Sequence, residues 1–108
     1  EGARVVIDTS AGQWKEDRAT GVAVLPLHRA ADSTERVALE RLAPGTHLPA
    51  MDCPGGEEIF LLSGSLQDEY GSYGAGAWIR NPAGFRRSLE SQDGATYWVK
   101  RGHLRPPP

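Results

Sequence analysis

Glycine and proline interrupt this chain so often that no long helix can run through it. Thirteen glycines and eight prolines are spread along 108 residues. Proline removes a backbone donor and fixes φ, and glycine supplies the positive φ that tight turns need. The clearest turn signals are Ala43-Pro44-Gly45, Cys53-Pro54-Gly55-Gly56, Asn81-Pro82-Ala83-Gly84 and Gln92-Asp93-Gly94. Between them lie short runs rich in β-branched and aromatic residues, at 4–8, 21–28, 35–42, 58–62, 65–70, 77–80, 87–90 and 96–101. Short strands about 8–12 residues apart, with turn signals between them, predict an all-β sandwich or barrel. Residues 30–42 come nearest to a helical period, but AADST reads as a turn and ERVALERL fits a strand. Residues 16–20 read as a polar connector, and the proline tail at 105–108 cannot continue a sheet. The length fits one domain, 1–108, with 1–20 as an N-terminal strand and connector.

Two spaced patterns stand inside this frame. From Gly45 the chain reads Gly, five residues, Met51, one residue, Cys53, three residues, Glu57, six residues, Gly64. From Gly76 it reads Gly, five residues, Pro82, one residue, Gly84, two residues, Arg87, three residues, Ser91. This pair resembles the two motifs of the cupin superfamily. In that family the positions of Met51, Cys53 and Arg87 are histidines and that of Glu57 is glutamate, and the four side chains bind a metal ion. The run PGGEEIFLLSGSLQDEYGSYGAGAWIRNPAGF, 54–85, is similar to cupins of the ChrR anti-sigma factor type, a group that includes acetylacetone-dioxygenase-like proteins. Weaker similarity reaches back to RLAPGTHLP and forward to Tyr97-Trp98-Val99-Lys100. The resemblance implies a double-stranded β-helix, the cupin jelly roll, and a tendency to dimerise by pairing sheets. Every glycine and proline of the frame is in register, whereas three of the four ligand positions are substituted.

Strand geometry explains the spacing. Residues i and i+2 face the same side of a strand, so Met51 and Cys53 share a face, the interior one under the resemblance. Glu57 begins the next strand and points to the same centre, and Ile59 and Leu61 follow with its parity. Glu58, Phe60 and Leu62 then face a second layer or a subunit partner. Gly84 lets the chain bend so that Arg87 approaches from the opposite side.

Three readings of the substituted centre follow. In the first there is no metal. Arg87 offers only N–H donors and a permanent positive charge, which repels a cation and pairs with Glu57 in a charge-assisted contact. In the second, Met51 and Cys53 act as soft ligands that favour Cu(I) or another soft ion, with His47 of the right parity to join them. The resemblance by itself assigns zinc, iron or nickel. In the third, Cys53 is a thiol activated by Arg87, a role that Glu57 opposes. Glu57, Ile59, Leu61, Trp78, Arg80 and Arg87 are the expected lining of a ligand pocket, with Arg80 and Arg87 placed to hold an anion such as a carboxylate. Trp78, Tyr97 and Trp98 serve equally well as core. His28 and His103 read as surface or strand-end residues.

The first reading leads. It predicts a ChrR-like cupin without the histidine site or a cofactor, acting as a small-molecule-binding or regulatory module, on its own or as half of a two-cupin protein. The alternatives are a metal-dependent cupin dioxygenase with an atypical Met/Cys/Glu site, and a structural dimerisation domain. The expected partners are a small molecule and a second copy of the chain. A formal net charge of −2 and a pI near 5.9 argue against nucleic acid or an anionic membrane. Arg86–Arg87 and Lys100–Arg101 do cluster, but Glu90 and Asp93 lie between them. One cysteine permits no intrachain disulfide, in keeping with a cytoplasmic location. No apolar run approaches the roughly 20 residues of a membrane helix, and no signal peptide is visible. The chain does not begin with Met, which reads as processing or as a domain cut from a longer protein.

Overall fold

The computed structural model describes residues 13–103 apart from 18 and 30–34. The run at 4–8 and the proline tail lie outside the described residues. The described residues form nine strands and no helix: β1 Lys15–Asp17, β2 Val22–Arg29, β3 Arg36–Leu42, β4 Thr46–Cys53, β5 Glu57–Asp68, β6 Gly71–Gly74, β7 Trp78–Asn81, β8 Phe85–Ser91 and β9 Ala95–Arg101. All pairings are antiparallel, in the order β1-β2-β3-β9-β5-β8-β4, with β6 and β7 also on β5. This is the curled all-β architecture expected of a double-stranded β-helix.

β5 joins the two sheets. Its first half pairs with β7 and β9, and its second half pairs with β6 and touches β8. The runs at 58–62 and 65–70, expected as separate strands, are one strand that kinks at Gly64. That residue has φ +82, and a Cβ there would lie 2.0 Å from the carbonyl oxygen of Gly94. Only glycine combines this backbone angle with so close an approach.

Alternation along β5, β9 and β3 sorts side chains to two faces. Inward-facing Ile59, Leu61, Tyr97, Val99 and Leu42 form a core with Leu66 and Leu89. Phe60, Leu62 and Trp78 face outward and are exposed. The inner face is arranged in cross-strand rows. Leu61, Tyr97 and Glu40 make one row, and Ile59, Val99 and Ala38 the next. The last row holds Asn81, Glu57, Arg101 and Arg36. The apolar core therefore gives way to charged residues at one end of the barrel.

Candidate functional site

The charged end is built around Glu57, the first residue of β5, which is 0% exposed. An isolated buried carboxylate would be prohibitively costly, so its partners determine what it is. Arg87 of β8 donates Nε to Oε2 at 2.7 Å and Nη2 to Oε1 at 2.8 Å, a bidentate clasp. Arg101 of β9 donates Nε to Oε1 at 3.2 Å, and Asn81 of β7 donates Nδ2 to Oε2 at 2.9 Å. Each carboxylate oxygen thus accepts two hydrogen bonds.

The network continues. Arg101 clasps Glu40 of β3 through Nη1 at 2.6 Å and Nη2 at 3.0 Å, and the hydroxyl of Tyr97 donates to Glu40 Oε1 at 2.6 Å. Two guanidiniums and two carboxylates, linked across β8, β5, β9 and β3, balance in charge. Burial pushes the carboxyl of Glu57 upward, but the hydrogen bonds and charge of Arg87, the charge of Arg101 and the Asn81 amide outweigh it, leaving a pKa of about 2. Burial likewise raises Glu40, and Arg101 and Tyr97 together bring it below the usual range. Both acids are ionised at neutral pH.

Arg87 reaches Glu57 because β4 and β8 wrap round from the other sheet. The turn before β8 needs Gly84 at φ +83, and its N–H bonds the carbonyl of Cys53 at 2.8 Å. In the β4–β8 register Met51 stands opposite Arg87 and Cys53 opposite Phe85. Cys53 is 4% exposed, whereas Met51 is 39% exposed. The two residues keep the shared parity expected of them and both line one cavity, but they differ in depth. The strand is bulged between Leu48 and Met51, and Met51 sits at a mouth while Cys53 is inside. Burial and the charge of Glu57 raise the thiol pKa of Cys53, which opposes thiolate chemistry.

A cavity of about 630 Å³ opens beside the network, lined by Arg36 and Glu40 of β3, Leu48, Met51 and Cys53 of β4, Arg87, Arg101 and the neighbouring turns. This volume is within the range of small-molecule sites. The expected lining needs correction at several positions. Ile59 and Leu61 are packed into the core. Trp78 and Arg80 have the outward parity, opposite Phe60 and Glu58. There the Trp78 indole donates to Glu58 at 3.1 Å, and Glu58 also holds His103 at 2.5 Å. With 10% of its side chain exposed, His103 is a strand-end residue and not a surface one. Glu57 is fully buried and is bonded to Arg87 and Arg101, which do line the cavity. Sequence reasoning missed Arg36, Glu40 and Arg101. Their shared parity with the apolar residues of β3 and β9 was the available signal.

The donor set does not fit a resident metal ion. The oxygens of Glu57 are occupied, Arg87 places a cation at the centre, and Met51 lies at the mouth. Among the described residues no group of three or more His, Cys, Asp or Glu side chains is arranged to hold one. No helix among them is long and apolar enough to cross a membrane.

A family model described as the ChrR Cupin-like domain matches residues 2–105. No curated protein matches the chain significantly. Among solved structures, an RmlC-like cupin from Ralstonia eutropha superposes with a TM-score of 0.84 at 15% identity, covering 94% of this chain and 69% of that one. A putative acetylacetone dioxygenase from Methylibium petroleiphilum gives 0.81 at 16%, covering 98% and 84%. A chain from the complex of Rhodobacter sphaeroides SigE with the anti-sigma ChrR gives 0.74 at 17%, covering 87% of this chain and 51% of its own length. At such identities the likeness is one of fold.

Proposed function

The chain belongs to the ChrR Cupin-like family, and from that premise we propose that it is a small-molecule-binding regulatory module in which an internal ion pair takes the place of a metal. The observation that carries this reading is the clasp of Arg87 on Glu57 beside an open cavity of about 630 Å³. An arginine at the centre supplies the countercharge that a metal would supply, and it leaves no coordination position at which substrate could be activated. The cavity still gives a ligand room. A regulatory role draws support from the similar anti-sigma chain, whose structure was solved in complex with a sigma factor.

Two measurements test the proposal. Elemental analysis of protein purified without added metal is expected to show far less than one ion per chain, and added zinc is expected to leave the melting temperature unchanged. A panel of small molecules of mixed charge should contain at least one that raises the melting temperature. A ligand at a hundredfold excess over its Kd stabilises by about 2.7 kcal/mol. Met51→Trp, which fills the mouth, should abolish that shift. Stoichiometric metal, or a panel in which nothing binds, would reject the reading.

A further inference from the structure

We infer that the cavity selects a small organic anion with an apolar body, and that Arg36 is the residue that recognises its charge. The inference rests on the ligand-binding reading above and names the ligand class.

The first observation is a charge imbalance. Arg36, Arg87 and Arg101 all line the cavity. Glu57 and Glu40 answer Arg87 and Arg101. Three guanidiniums against two carboxylates leave one positive charge over. Asp52, at the rim, does not cancel it, because Asp52 pairs with Arg86 at 2.7 Å. The surplus falls on Arg36, which makes no ion pair or side-chain hydrogen bond among the described residues. It also stands directly opposite Arg101 across the β3–β9 ladder. Like charges in that position repel, and an anion between them would relieve the repulsion.

The second observation is a set of unused donors. A guanidinium carries five N–H groups. Arg87 spends its Nε and one Nη2 hydrogen on Glu57, and its Nη1 has no partner among the described residues. The one buried side-chain nitrogen or oxygen without a partner among them is Nδ1 of His103. Arg87 lines the cavity, although its side chain is only 2% exposed. Arg101 uses one hydrogen on each of its three nitrogens and keeps two. Fixed N–H donors beside a free guanidinium suit the planar, two-oxygen geometry of a carboxylate. Leu48, Met51 and Val22 on the remaining wall suit an apolar body.

The charge of the ligand is the one expected of Arg80 and Arg87, but the residue that reads it differs. Arg80 points away from the cavity, and Arg87 is fixed by Glu57, so discrimination falls to Arg36. Arg36 is exposed and its side chain makes no ion pair or hydrogen bond among the described residues, so its replacement leaves the fold intact.

The test is isothermal titration calorimetry with octanoate and hydrocinnamate, each paired with its uncharged amide. At least one carboxylate is expected to bind about tenfold or more tightly than its amide, the worth of one charge-assisted hydrogen bond. Arg36→Ala should erase that preference without weakening the amide, and Arg36→Lys should retain part of it. Equal binding of acid and amide, or a preference unchanged in Arg36→Ala, would overturn the anion inference and leave the ligand-binding reading standing. If neither acid nor amide binds, the inference fails, and the mixed panel decides the broader reading separately.

Discussion

Glu57 is a charged group that water does not reach, and only its partners make that tolerable. Replacing Arg87 with methionine would leave the carboxylate with Arg101 and Asn81 alone. Breaking a buried pair from one side costs about 3–5 kcal/mol, so Arg87→Met is expected to lose that much in urea unfolding. Arg87→Lys should lose less, since it keeps the charge but not the two-pronged geometry. A loss under about 1 kcal/mol for the methionine variant would mean that the pair is not the buried clasp described. Glu57 and Arg87 were legible in the sequence through the resemblance of the two spaced motifs, whose matching positions share one centre; strand parity is consistent with this but does not by itself bring β5 and β8 together. Arg101 and Glu40 were not, since their pairing joins residues 61 apart in the chain and no local pattern encodes it. Arg36 was hidden for the same reason, since its role depends on standing opposite Arg101.

At the scale of elements, most strands announced themselves through β-branched runs and turn residues. The failures are instructive. β4, THLPAMDC, contains Pro49 and shows mostly exposed side chains, so neither alternation nor propensity marks it, and only the spaced motif put Met51 and Cys53 on a strand. Proline survives there because β4 is the edge of its sheet and is bulged. β1 is three exposed polar residues paired only to β2, which reads as connector because nothing apolar holds it. β6 is a four-residue strand with two glycines. The joined β5 was read as two strands because Gly64 looks like a stop, yet here it turns the chain from one sheet into the other. Gly64→Ala should therefore cost more than about 3 kcal/mol, with both a left-handed backbone and a backbone clash against it. Gly45→Ala has a similar φ of +81 but open space around it, and should cost only about 1–2 kcal/mol. Equal melting temperatures for the two variants would contradict the kink.

For the whole molecule, the network predicts how the domain responds to acid. The carboxyl of Glu57 falls from an ordinary 4.5 to about 2 on folding. A depressed acid contributes stability that is complete above its unfolded pKa and is lost as pH falls through the folded one. The loss should therefore run from about pH 4.5 to about pH 2 and reach on the order of 3 kcal/mol, with Glu40 shifting in the same direction. Melting temperatures that stay flat across that window would contradict the assignment. Arg87 has a further consequence for the life of the protein. A metallated barrel must find its ion after synthesis and can be loaded with the wrong one or stripped by a scavenger. Here the cation opposite Glu57 is part of the polypeptide. Under the proposed reading the barrel centre is complete as soon as the chain folds, and its charge balance does not depend on the metal supply of the surrounding cell.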